Sequence, residues 1–325
     1  MLRCLACMMV VLMHTPQPNS AGGYVLSSIS LLAAPSIGLF FMVSGALLLP
    51  VTKPTKEFLK HRLAKIAVPV LFWSLLYLLV RYFKTNNSEE LFKSIISIPF
   101  SAQGCAVFWF VYVMIGLYVL APIISTWLQK ASKREIEFYL LLWLVTMCYP
   151  ILNLFVCVDD GKSGILYYFT GYVGYFLLGY YLHNYVKQWS MWILAILFVF
   201  PIGCAVACKL LELKIDFYDI FWYLSILVVA MCVSLFMGIK VLFGDIKLNT
   251  KFKKFIINFS QYSFGIYLIH FFIIRDILWQ FNLTLLSNGG GILETFVITL
   301  IISYLIVHLI SRLPKSESFI GLKRK

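Results

Sequence analysis

Apolar residues in this chain arrive in unbroken blocks, with polar residues confined to short clusters between them. A helix on the surface of a soluble protein carries an apolar stripe and a polar face, whereas these blocks are apolar all round. Crossing a hydrocarbon core of roughly 30 Å takes about 20 such residues. Ten blocks are candidates, over about 2–15, 24–50, 62–82, 105–128, 136–156, 164–184, 190–208, 217–239, 255–275 and 291–311. Inside a bilayer every backbone polar group needs an internal partner, so the spans are expected to be helical. The pattern predicts an all-α fold: a polytopic membrane helix bundle of about ten transmembrane helices. No loop is long enough for a soluble module, so residues 1–325 are expected to form one integral-membrane domain, with any chemistry inside it or at its edges.

Composition strengthens this reading. Charged residues make up 13% of the chain, about half the share of a soluble domain. The formal charge of +13 would suggest nucleic acid if it were spread over one surface. It is distributed by loop instead. With the N-terminus inside, twenty of the 27 Lys and Arg residues fall on the inner side and seven (Arg81, Lys84, Lys93, Lys162, Lys209, Lys214 and Arg275) on the outer side. Basic loops favour the cytoplasm, so both termini are expected there. The excess charge then reads as topology and as attraction for anionic lipid, and no nucleic-acid partner is expected. The eight cysteines lie mostly within apolar blocks, which is not a secreted disulfide framework.

The first block is short, and Pro16 and Pro18 stop it. Either the chain begins upstream of Met1 or this helix ends partway through the membrane beside a polar cavity; a cleaved leader ranks below both. Arg3 and His14, eleven positions apart, fall within about 20° of one helix face and about 16 Å apart along it. Their ordinary roles would be an inner-face anchor and a helix-end imidazole bonded to a carbonyl. An ionisable group at the depth of His14 is costly, which makes it a functional candidate. Arg62 and Lys65 share a face at the inner mouth of the third span; they are either a topology cluster or a phosphate clamp, arginine offering a planar fork and lysine a point charge. Ser44-Gly45 in FFMVSGALLL reads as a close helix packing point. Trp109, Tyr267 and His270 lie toward the outer side, as belt residues or as the walls of a cavity shared with His14.

All fourteen carboxylates fall in loops or at helix ends, leaving His14 without an acid in its own span. Asp159, Asp160, Asp216, Asp219, Asp276 or Glu294 would reach it only if an outer segment folded inward. The lack of mid-span carboxylates weighs against a proton-driven transporter. No zinc-protease, nucleotide-loop or dinucleotide motif is present, and no metal is expected.

LRCLACMMVVLMHT, FFMVSGALLL, RLAKIAVPVLFW, FWFVYVMIGLYVLAP and YSFGIYLIH occur in that order along the chain. Together they resemble the landmarks of the integral-membrane acyltransferase family 3, over nearly the whole chain. In length and opening the sequence looks similar to the members that O-acetylate enterobacterial common antigen and carry no added soluble domain. The resemblance implies a multi-pass protein of the bacterial inner membrane that takes an acyl group, acetyl, from cytoplasmic acetyl-CoA. The acceptor would be a hydroxyl of a cell-surface or lipid-linked glycan. It implies His14 as catalytic base, Arg3, Arg62 and Lys65 as donor-binding residues, and Trp109, Tyr267 and His270 on the acceptor side. Lys65 stands where the family often has a second arginine. The competing reading from the same spans is a transporter or flippase for a lipid-linked glycan, without acyl transfer.

Overall fold

The computed structural model describes the whole chain except residues 16–28, 159–162, 214, 216, 245, 247–248, 282–288, 314–315 and 323–325. The described residues hold helices α1 (Leu2–His14), α2 (Pro35–Leu48), α3 (Thr55–Thr85), α4 (Ser88–Ser97), α5 (Trp109–Leu128), α6 (Lys133–Met147), α7 (Val173–Tyr185), α8 (Met191–Leu210), α9 (Ile226–Phe243), α10 (Thr250–Phe272) and α11 (Gly289–Arg312). Among the described residues, eight helical stretches are long and apolar enough to cross a membrane, and α1 is a shorter apolar helix. The protein is therefore an all-helical, multi-pass membrane protein.

Two expected spans come out shorter than the sequence suggested. The block at 164–184 yields only α7, whose thirteen residues rise about 20 Å. Thr170 is extended and Gly171 takes φ +91°, a backbone suited to glycine. The Trp143 indole N–H donates to the Gly171 carbonyl at 2.8 Å, which holds that turn open. The block at 217–239 becomes a four-residue turn, Phe217–Ile220, and then α9, whose start is capped by the Ser225 hydroxyl accepting from Leu227 N–H.

The chain divides into two compact units. The first comprises Met1–Met9, Gly23–Val51 and Ala121–Asn249. Its centre is the crossing of α2 and α7, where small residues bring backbones into contact, as the Ser44-Gly45 reading anticipated for Gly45. A methyl group on Gly45 would lie 1.7 Å from the Phe176 carbonyl oxygen, and one on Gly179 would lie 1.9 Å from that of Met42. The Tyr175 hydroxyl, buried in this unit, donates to the Tyr223 carbonyl at 2.6 Å. At the end of α7 the Lys240 ammonium donates to the carbonyls of Leu182, His183 and Val186 at 2.7–3.0 Å. Those are orphan acceptors of a helix C-terminus, and a cation there also opposes the helix dipole.

The second unit comprises Val10–Gly22, Thr52–Leu120 and Thr250–Lys325. Here α3 packs on α10, and α10 on α11. The Trp73 indole N–H donates to Phe319 O at 3.0 Å, fastening the C-terminal turn Ser316–Ile320 to α3. Between α10 and α11 the Tyr262 hydroxyl lies 3.1 Å from both His308 Nδ1 and Ser311 Oγ, so His308 is held in a polar contact between helices.

Candidate active site

The second unit contains a cavity of about 750 Å³ with His14 and Trp109 on its wall. It sits at the end of α3 that carries Arg81 and Lys84. Arg62 and Lys65 stand near the other end, and nineteen residues separate Arg62 from Arg81, about 28 Å along the axis.

His14 is the last residue of α1 and is half-buried. Its Nδ1 lies 2.9 Å from the Val10 carbonyl oxygen. A carbonyl can only accept, so Nδ1 carries the proton and, in the neutral ring, the lone pair is on Nε2. His270, fully buried on α10, obeys the same logic: its Nδ1 lies 2.6 Å from the Tyr267 carbonyl, so that nitrogen is protonated and its Nε2 is bare. The bare Nε2 of His270 faces His14 Nδ1 at 3.3 Å. The His14 N–H is thus shared between Val10 O and His270 Nε2. Phe271 packs against the His14 ring edge-on, with centroids 5.3 Å apart.

The far wall is built by an interruption of α10. In a regular helix Phe272 N–H would donate to Leu268 O. Here the Tyr77 hydroxyl of α3 stands between them, accepting from Phe272 N at 2.8 Å and donating to Leu268 O at 3.2 Å. A side chain inserted into the hydrogen-bond ladder bends or widens a helix, and the next turn, Ile273–Ile277, is a wide π turn. Such turns recur at functional sites. This one places Arg275 and Asp276 on the cavity wall. Asp276, with a side chain only 4% exposed, accepts from Lys84 Nζ at 2.7 Å on one oxygen. Its other oxygen accepts from Arg275 Nη2 at 2.8 Å and Nε at 3.1 Å. The Arg275 guanidinium also lies over the rings of Phe271 and Tyr77, at 5.2 and 5.8 Å. Arg81 donates to Glu90 on α4.

The residues singled out from sequence therefore fall in different places. Trp109 lines the cavity with His14. Tyr267 and His270 are buried and are not among its lining residues. His270 contacts His14 directly, whereas Tyr267 donates its hydroxyl to Val107 O and offers its own backbone carbonyl to His270. Arg3 lies in the first turn of α1, eleven residues before His14. Arg62, on α3, has its guanidinium 5.8 Å from the Phe58 ring, and its Nε is buried with no hydrogen-bond partner among the described residues. A buried guanidinium nitrogen without an acceptor is a position that suits an anionic ligand. Lys65 lies one helical turn further on the same helix.

Sequence reasoning did not single out Tyr77, Arg81, Lys84, Arg275 or the role of Asp276. The charged residues among them appeared as outer-side charges at the ends of two spans, Lys84 and Asp276 being 192 residues apart, which was the one available signal. The expectation that an outer acid could approach His14 only by folding inward is met in part: Asp276 shares the cavity but is bound to Lys84 and Arg275.

Comparison with curated proteins and with solved structures returned no match. A family model described as an acyltransferase domain, that of acyltransferase family 3, matches residues 1–308, and with nearly the whole chain covered the protein belongs to this family of membrane acyltransferases.

Proposed function

We propose that the protein is an O-acyltransferase that moves a short acyl group, acetyl, from acetyl-CoA to a hydroxyl of a cell-surface or lipid-linked glycan, with His14 as general base. The observation that carries this reading is the tautomer of His14. Val10 O and His270 Nε2 both claim the Nδ1 proton, so the lone pair is on Nε2 of a ring that lines a cavity of about 750 Å³.

In the proposed reaction His14 Nε2 takes the proton of the acceptor hydroxyl. The oxygen bonds to the thioester carbonyl carbon, and the carbon–sulfur bond breaks. The leaving thiolate then takes the proton from the imidazolium, returning His14 to its starting tautomer. Val10 O and His270 Nε2 stabilise the positive charge that passes through the ring. A positioned base contributes about 10²–10⁴-fold, and alignment of donor and acceptor adds to that. Arg62, with Nε lacking an acceptor among the described residues, and Lys65 are the proposed contacts for the donor's phosphates; Arg3 is proposed as a further donor contact on the family resemblance. An extended donor suits the length of α3: the fifteen residues from Arg62 to Tyr77, on the cavity wall, rise about 22 Å. The acceptor would enter past Trp109. The bacterial inner membrane is the proposed location, and enterobacterial common antigen is one acceptor of the proposed class.

The test is transfer of radiolabelled acetyl from acetyl-CoA into glycan in membranes containing the protein, with His14→Ala at equal abundance beside it. Label in the glycan that disappears in His14→Ala is the expected result. Equal labelling by the variant would overturn the assignment of the base, and no labelling by the unaltered protein would favour the transporter reading.

A further inference from the structure

The cavity beside His14 is cationic in a way that base catalysis does not require. Its wall carries Arg81, Lys84 and Arg275 against a single carboxylate, Asp276. Both oxygens of Asp276 are occupied, one by Lys84 and the other by Arg275. Among the described residues the remaining counter-charge paired with these cations is Glu90 on α4, which meets Arg81 at the exposed rim; the Arg81 and Glu90 side chains are 45% and 40% exposed. With Glu90 counted, three cations face two carboxylates. Low-dielectric walls strengthen the field of such an imbalance and attract ligands of opposite sign. A neutral sugar would meet these cations with hydroxyls alone. A carboxylate or phosphate would meet them with charge-assisted hydrogen bonds, for which the planar forks of Arg275 and Arg81 are suited.

We propose that the glycan accepted beside His14 is an acidic one, its carboxylate or phosphate held by Arg275 with Lys84 and Arg81 while a neighbouring hydroxyl reaches His14. The inference rests on the acyl-transfer reading for the role of that hydroxyl, but the anion site itself can be tested without chemistry. Trp109 and Phe271 supply aromatic walls for the sugar ring, and the wide turn that Tyr77 imposes on α10 sets the direction of Arg275.

The purified full-length protein, in detergent free of phospholipid, would be titrated calorimetrically with three probes. They are a glucuronic acid trisaccharide, its carboxyl-reduced neutral counterpart and a hexose 1-phosphate. The acidic trisaccharide is expected to bind at least about tenfold more tightly than the neutral one, the gain of one charge-assisted hydrogen bond. That preference should fall in Arg275→Gln and, with less risk to folding, in Arg81→Gln. Tighter binding of the hexose phosphate supports the proposal and selects phosphate over carboxylate. Equal binding of acidic and neutral trisaccharides overturns it, as does a preference unchanged in both variants. Repeating the titration in phosphatidylglycerol nanodiscs separates glycan from lipid: if the headgroup displaces the acidic probe, the site is a lipid site and the proposal fails. Acyl transfer to a neutral glycan with no anion preference would sink this inference and leave the enzyme reading intact. Anion preference without any acyl transfer would do the reverse.

Discussion

His270 Nε2 stands 3.3 Å from His14 Nδ1, and the two rings are tilted by 59° with centroids 5.1 Å apart. Because His270 gives its own Nδ1 proton to Tyr267 O, the nitrogen it turns to His14 can only accept. His270 is thus proposed as a positioning residue that fixes the tautomer and orientation of the base, and its complete burial fits that part better than contact with substrate. His270→Ala is expected to lower kcat about 10- to 100-fold, less than removal of a base worth up to about 10⁴-fold, with the donor KM unchanged. His270→Gln keeps an acceptor in that direction and should restore much of the rate. Steady-state kinetics of both variants decides it: equal losses in Ala and Gln would assign His270 a merely structural part.

Tyr77 offers a different kind of test, because its hydroxyl shapes a helix and not a ligand contact. Without that oxygen, Phe272 N–H can again reach Leu268 O, and the turn after it can tighten into a regular helix. Each residue displaced from its register swings by about 100° about the axis, which would carry Arg275 and Asp276 away from the cavity. Tyr77→Phe is expected to change thermal stability little, by about 1 kcal/mol, since the ladder can heal. The KM for the acceptor should rise while the KM for acetyl-CoA stays the same. Kinetics with each substrate varied in turn checks this, and an unmoved acceptor KM would show that the wide turn does not depend on Tyr77.

These two residues also mark where the sequence stopped being legible. That Arg3 and His14 lie on one helix could be read from the unbroken apolar run between them. The helical spans were visible because lipid demands long apolar blocks, and Gly45 could be read as a packing point because small residues in such blocks have few other uses. Tyr77 could not be read, since its function is to interrupt a hydrogen bond within a helix 195 residues away, and nothing in a run of apolar and aromatic residues announces that. Asp276 and Arg275 were visible as charges at a helix end, but the turn that points them inward is a tertiary effect. The shortness of α7 has the same origin, in a Trp143 indole bonded across to Gly171.

Arg62 leads to a prediction in which function and stability part. Its Nε is buried without an acceptor among the described residues, an arrangement that costs folding free energy, on the order of 1–3 kcal/mol for an unsatisfied buried group. Arg62→Met retains the apolar stem beside Phe58 and removes the unsatisfied group. The variant is expected to melt no lower than the unaltered protein, yet to show a KM for acetyl-CoA raised about tenfold or more, the loss of a charge-assisted phosphate contact. Melting by intrinsic fluorescence and a donor titration measure the two sides. A lowered melting point together with an unchanged donor KM would make Arg62 a structural residue.

The first unit can be probed through its glycines, which divide sharply by surroundings. Gly45 and Gly179 interlock: each faces the backbone carbonyl of the other's helix, and an added methyl would lie 1.7 and 1.9 Å from oxygen. Backbone cannot yield as a flexible side chain can, so α2 and α7 would have to separate. Overpacking of this kind costs about 1–3 kcal/mol or more. Gly203 on α8 and Gly238 on α9 have nothing within 4 Å of the same methyl position. There alanine adds no clash and improves helix propensity by up to about 1 kcal/mol. Gly45→Ala and Gly179→Ala are therefore expected to lower the melting temperature and the yield of folded protein, while Gly203→Ala and Gly238→Ala leave both unchanged or raised. A helix-propensity effect alone would move all four in the same favourable direction, so the sign of the change at Gly45 and Gly179 isolates the α2–α7 contact. If those two variants melt with the other pair, the close crossing of α2 and α7 does not hold the unit together.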